Sequence, residues 1–161
     1  MEKVVYSFED FWADVDPQYR DFVNTIHEAL QKICKVKVES KANGFFVSYA
    51  HIKSKRSLLN FLFRKKGLMV RIYGDNIGKY GDFIDLLPEK MEKEIGKANL
   101  CRRLVNPEDC NPKCALGYDF SIRGKRYQKC RYNCFQFEVT PESVPVINEF
   151  LAQEQKARLI A

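Results

Sequence analysis

Short alternating or apolar runs, parted by little more than turn residues, constrain this chain more than any other feature. Val36-Lys37-Val38-Glu39 alternates as a strand does. Lys41-Ala42-Asn43-Gly44 then supplies turn chemistry, because Asn-Gly favours positive φ. Phe45 to Ile52, rich in aromatic and β-branched residues, reads as the returning strand. Leu58 to Phe63 is ambiguous between a strand and a buried helix. Arg64-Lys65-Lys66-Gly67 reads as a turn and Leu68 to Tyr73 as a strand, so a hairpin of 58–64 with 68–74 is preferred. Further on, Tyr118, Phe120 and Ile122 alternate with Asp119, Ser121 and Arg123. Gly124 then turns the chain into a partner strand starting near Arg126. Phe135, Phe137 and Val139 form another alternating set. Strands joined by short turns pair antiparallel, so the chain is expected to build a hairpin-rich antiparallel sheet.

Helices are expected at the start, centre and end. Ser7 with Asp10 forms a capping pattern for a short helix ending near Val15. Asp16-Pro17 begins a second, with Phe22, Ile26, Leu30 and Ile33 at helical spacing over 17–34, which places Cys34 on its apolar side. Tyr80, Phe83, Leu86, Leu87, Met91 and Ile95 recur at helical spacing, and Pro88 should kink or divide that stretch. Ser143 caps a C-terminal helix with Pro145 in its first turn and Ile147, Phe150 and Leu151 facing the core. The 161 residues, 45% of them apolar, suffice for one packed core. The fold class is therefore α+β: one domain over 1–161, with 101–134 a cysteine-rich loop and hairpin region.

No apolar run approaches the roughly 20 residues of a membrane span. The start of the sequence, Met1-Glu2-Lys3 followed by acids, lacks the basic and apolar regions of a secretory signal. A cytoplasmic address is expected, and there thiols stay reduced. Five of the six cysteines fall at Cys101, Cys110, Cys114, Cys130 and Cys134, in the pattern C-x8-C-x3-C-x15-C-x3-C. Two C-x3-C couples flanking a hairpin suit a four-thiolate zinc site at Cys110, Cys114, Cys130 and Cys134, with Cys101 able to replace one ligand. Buried packing thiols that bind nothing are one alternative. A reactive thiol is another, since Lys129 and Arg131 flank Cys130, and cations lower a thiol pKa. All site readings share a geometric condition. Residues 130 and 134 lie about 13 Å apart on extended backbone and about 6 Å apart on a helical turn. Phe135, Phe137 and Val139 take the opposite parity to Cys130, Tyr132 and Cys134, which predicts a bend at Arg131-Tyr132-Asn133.

Nothing else in the sequence carries catalytic spacing. His27 and His51 have no nucleophile beside them and read as edge or surface histidines. Gly74 to Lys79 lacks the glycine spacing and Ser/Thr of a phosphate loop, and reads as a strand-to-helix turn. The net charge is +6, with six cations and no acid over 53–66, and five cations and no acid over 123–131. With interleaved aromatics, these stretches raise a nucleic-acid-binding alternative against a plain solvated face. Arg71 on its strand faces away from the core or lines a pocket for a carboxylate or phosphate. The balance favours a binding or regulatory domain with a structural cysteine site over an enzyme. A thiol-redox protein using Cys130 is the alternative from another class. An anionic ligand, a nucleic acid or a second copy of the chain would be its partner.

Cys110-Asn111-Pro112-Lys113-Cys114 and Tyr127-Gln128-Lys129-Cys130-Arg131-Tyr132-Asn133-Cys134-Phe135 together resemble a motif of short uncharacterised bacterial proteins. The resemblance covers residues ~45–158 and implies a class, with no activity attached to it.

Overall fold

The computed structural model describes residues 4–160. Its elements, in chain order, are α1 (Phe8–Ala13), α2 (Arg20–Leu30), β1 (Cys34–Lys41), β2 (Gly44–His51), β3 (Ser57–Arg64), β4 (Gly67–Ile72), α3 (Gly81–Ile84), α4 (Glu89–Lys97), α5 (Arg102–Val105), β5 (Tyr118–Ile122), β6 (Lys125–Lys129), β7 (Gln136–Glu138) and α6 (Ser143–Ile160). The fold is α+β with antiparallel hairpins, as the turn-punctuated sequence predicts. Five strands form a sheet in the order β1-β2-β3-β4-β7, and β5 and β6 form a separate ribbon. The chain forms two compact units. Of the described residues, the first comprises those up to Arg71 with Glu138–Thr140, and the second Ile72–Phe137 with those from Pro141 onward. Among the described residues, no helix is long and apolar enough to cross a membrane.

In the first unit, α1 starts from a reciprocal cap. The Ser7 hydroxyl accepts the Asp10 N–H at 3.3 Å, and the Asp10 carboxylate accepts the Ser7 N–H at 2.8 Å. Asp16 caps a 3-10 turn over Pro17–Tyr19, and α2 follows directly. The predicted helix 17–34 stops at Leu30, a correction. Cys34 opens β1 instead, because Cys34, Val36 and Val38 alternate along an edge strand that pairs with His51, Tyr49 and Val47. Cys34 is buried there all the same. Val47 pairs with Phe61 and Tyr49 with Leu59, which puts all four side chains in the core. Phe11 from α1 and Phe22 from α2 lie against the Phe61 ring at 5.5 and 6.5 Å. Aromatic pairs at such distances add to plain area burial.

His27 is not an idle edge residue. Its ring stacks on Phe8 at 3.6 Å, and its Nδ1 lies 2.7 Å from the Tyr49 hydroxyl, itself fully buried. Burial lowers the His27 pKa below the ordinary 6.5, while Glu9 and Glu28 pull the other way. The unfolded chain therefore takes up this proton first as pH falls. The His27 contribution is complete above the unfolded pKa and is lost as pH drops from there through the lower folded value. Urea midpoints are expected to decline from pH 7 to pH 5, and His27→Gln to flatten part of that slope. An unchanged slope in the variant would contradict the assignment.

The second unit is centred on Phe135 and Phe150, whose ring centroids are 4.9 Å apart. Tyr118 and Phe120 from β5 pack on Phe135 at 4.8 and 5.2 Å. The β5–β6 turn places Arg123 at φ 47° and Gly124 at φ 85°, the paired positive values of a two-residue hairpin turn. Pro88 divides the central helical stretch, as predicted: α3 ends at Ile84 and α4 begins at Glu89.

Candidate functional site

The cysteine region is assembled by backbone hydrogen bonds that draw three segments of the second unit together. Cys130 N–H donates to Asn99 O at 2.7 Å, and Cys101 N–H donates to Gln128 O at 3.0 Å. The Lys129 ammonium crosses the same seam to Gly96 O and Ala98 O at 2.9 and 3.0 Å. Gly117 enters from the other side. Its N–H points at the Cys101 sulfur at 3.3 Å, and its Cα lies so near Lys129 that a Cβ there would sit 2.1 Å from the Lys129 carbonyl oxygen. Only glycine admits that approach.

After β6 the chain bends where the parity of the sequence switches. Asn133 N–H and Cys134 N–H both donate to Cys130 O, at 3.1 and 3.0 Å. The second is an i+4 bond, so Cys130 and Cys134 lie on one helical turn, about 6 Å apart at Cα. The two thiols differ in environment. Cys134 is fully buried and Cys130 half-buried. Burial pushes the Cys134 thiol well above its usual pKa; Lys129 draws it part of the way back, and Cys130 pushes it further up.

Arg131, between the two thiols, is itself buried. It donates to Leu116 O at 3.1 Å and to Asp75 at 3.0 Å, and its guanidinium lies against the rings of Tyr73 and Tyr118. Burial works against its charge, but Tyr118 and Asp75 more than offset this, and its pKa stays above the ordinary arginine value. Arg131 thus ties the turn to Leu116 and Asp75.

The second couple also sits on a bend. Cys114 N–H donates to Asn111 O at 3.1 Å, and the Asn111 side chain accepts the Lys113 N–H at 3.0 Å. Arg103 donates to Cys114 O. Cys110 is exposed and Cys114 half-buried. A turn over residues 111–114 thus leads into Cys114, whereas a single helical turn joins Cys130 to Cys134. Among the described residues, however, no three Cys, His, Asp or Glu side chains gather as a metal ion would need.

The remaining sequence candidates fall into ordinary roles. Over 123–131, Arg123 binds Asp85 and Glu92, Arg126 binds Asp119, and Lys129 and Arg131 are engaged as above. Most of the interleaved rings, Tyr49, Phe61, Tyr73, Tyr118 and Tyr127 among them, are buried. The Gly74–Lys79 loop already holds an internal anion, because Asn76 N–H donates to the Glu154 carboxylate at 3.0 Å. His51 accepts the Lys53 N–H and serves a turn.

Sequence reasoning missed Glu154. It lies on α6 in the same stripe as Ile147, Phe150, Leu151 and Ala157, and it is 0% exposed. An acid at a stripe position was the available signal. No family model, curated protein or solved structure matches the chain.

Proposed function

We propose that the chain is a binding or regulatory domain that responds to thiol oxidation, with Cys130 as the attacking thiol and Cys134 as its resolving partner. The hydrogen bond from Cys134 N–H to Cys130 O supports this most directly, because it puts both sulfurs on one turn. The difference in burial supports the division of roles. A half-buried thiol can be reached by a small disulfide, and a buried thiol of raised pKa stays protonated until a mixed disulfide forms beside it.

The oxidant in this reading is a low-molecular-weight disulfide, RSSR. The Cys130 thiolate attacks one sulfur of RSSR, the S–S bond breaks, and RS⁻ leaves with the Cys130 proton as RSH. The Cys134 thiol then gives up its proton and attacks the Cys130 sulfur of the mixed disulfide, expelling the second RSH. Two electrons pass from the two cysteines to RSSR. In a helical turn the two Cβ atoms are about 5–6 Å apart. A disulfide needs about 3.8 Å, so closing this one tightens the turn. Such a bond is readily reduced again, as a regulatory disulfide should be. A cytoplasmic address, with thiols reduced until oxidant rises, accords with that use.

Alkylation of the native protein by iodoacetamide tests the division of roles. Cys130 should be modified at least about tenfold faster than Cys134, and Cys130→Ser should leave Cys134 slow. Equal rates at the two sites would overturn it. Zinc shared by Cys110, Cys114, Cys130 and Cys134 is a second reading, supported by the turn that joins Cys130 to Cys134 and the turn that leads into Cys114. It predicts a different result, all four thiols protected together until a chelator is added.

A further inference from the structure

The β1–β2 hairpin of the first unit ends, away from its turn, in a cationic tip that carries two exposed isoleucines. Ile52 N–H donates to Ile33 O at 2.9 Å, one step beyond the Cys34–His51 pair, so the two residues stand opposite each other. Ile52 is 56% exposed and Ile33 38%. Lys32, Lys35, Lys53, Lys55 and Arg56 lie on the same two segments, all exposed. Lys35 follows Ile33 by two residues and so shares its face. No acid occurs over residues 31–38 or 48–58. The nearest along the chain are Glu28 on α2 and Glu39, and Glu39 is engaged by Lys37 and Lys41. Backbone bonds shape the loop that bears Ile52. His51 N–H donates to Arg56 O and Lys55 N–H to His51 O, both at 2.8 Å, and Arg56 N–H donates to Ser54 Oγ at 3.2 Å.

We propose that this tip docks the protein onto an anionic lipid surface, with Ile33 and Ile52 entering the interface and the surrounding cations lying among the headgroups. The proposal is independent of the thiol reading. Charge chooses the sign of the surface. Anionic lipid sets up a negative potential that attracts each nearby lysine or arginine, and a patch built without acids adds its charges in one direction. The isoleucines choose the kind of partner. Aliphatic side chains gain by leaving water for the boundary between headgroups and acyl chains. A single-stranded nucleic acid would instead use exposed rings on which bases stack. These segments offer none, since Tyr49 is fully buried and the His51 ring accepts the Lys53 N–H within its own turn. A small free anion would use the cations and gain nothing from either isoleucine. Docking of this kind lies on the surface, so it needs no spanning helix, and none occurs among the described residues.

The test is co-sedimentation of the whole chain with vesicles of phosphatidylcholine alone, or with about a third of it replaced by phosphatidylserine. The mixed vesicles should bind at least about tenfold tighter, and about 1 M salt, where the Debye length is about 3 Å, should release the protein. Lys53→Gln with Lys55→Gln should weaken binding at least about tenfold, and Ile52→Gln at least about threefold. All three positions are exposed, and unchanged fluorescence of Trp12, in the same unit, will show that the fold is intact. No binding to the mixed vesicles, equal binding to both kinds, or wild-type binding by Ile52→Gln would each overturn the proposal. So would tighter binding to a single-stranded oligonucleotide that Ile52→Gln leaves unchanged, which would assign the tip to nucleic acid.

Discussion

Glu154→Ala is expected to lower stability by about 3–5 kcal/mol, the cost of breaking a buried charge cluster from one side. Four donors converge on this carboxylate, which is fully buried. They are Asn76 N–H at 3.0 Å, the Asn76 amide at 2.8 Å, the Tyr80 hydroxyl at 2.6 Å and Arg158 Nε at 2.8 Å. Arg158 also donates to Tyr73 O at 3.0 Å and lies 3.7 Å from Asp75, which in turn holds Arg131. Removing the carboxylate leaves a buried hydroxyl, amide and guanidinium short of an acceptor, and each such loss costs about 1–3 kcal/mol. Glu154→Gln keeps the shape and one acceptor oxygen, so it should cost less, about 1–3 kcal/mol. Urea unfolding of the two variants checks the order. A Glu154→Ala midpoint within error of the wild type would show that the cluster contributes nothing.

Gly117→Ala should be as damaging by a different route. A Cβ at 117 would meet Lys129 O at 2.1 Å, Cys101 Cβ at 2.7 Å and Cys101 Sγ at 2.9 Å. Ordinary heavy-atom contacts optimise at about 3.5–4.0 Å. The nearest atom is backbone oxygen in a hydrogen-bonded seam, so it cannot swing aside as a side-chain tip would. Overpacking commonly costs about 1–3 kcal/mol, and this position should lie at or above the top of that range. The damage should be local. Cys101 should alkylate at least about tenfold faster. The fluorescence of Trp12, the single tryptophan, should be unchanged, because Trp12 belongs to the first unit. Unchanged Cys101 protection would mean that the seam does not depend on the close approach at Gly117.

What the sequence disclosed, and what it hid, follows from the range of the interactions. The Ser7–Asp10 cap, the Asn43-Gly44 and Arg123-Gly124 turns and the break at Pro88 are local backbone matters, and all were legible. The strand 57–64 was ambiguous because Leu58, Leu59, Asn60, Phe61 and Leu62 are all buried. A strand covered on both faces loses its alternation. The end of α2 at Leu30 was hidden because Ile33 and Cys34 continue the helical spacing by coincidence, with no glycine or proline to mark the stop. The bend at 131–133 was legible as a parity switch. The side chains meeting the 110–114 loop depend on packing between distant segments, which no spacing encodes. The same holds for Arg123, whose partners Asp85 and Glu92 lie on other elements, and for Glu154, whose donors come from Asn76 and Tyr80.

The thiol couple is tested most directly by treating the native protein with excess oxidised glutathione, quenching in acid and mapping tryptic peptides by mass spectrometry. Trypsin cuts after Lys129 and after Arg131, so a bond between Cys130 and Cys134 must appear as two peptides held together, lighter by two hydrogens than the separate pair. That linked species is the predicted product, absent from both Cys130→Ser and Cys134→Ser. Glutathione adducts at Cys110 or Cys130, with no peptide linked to Cys134, would contradict the account.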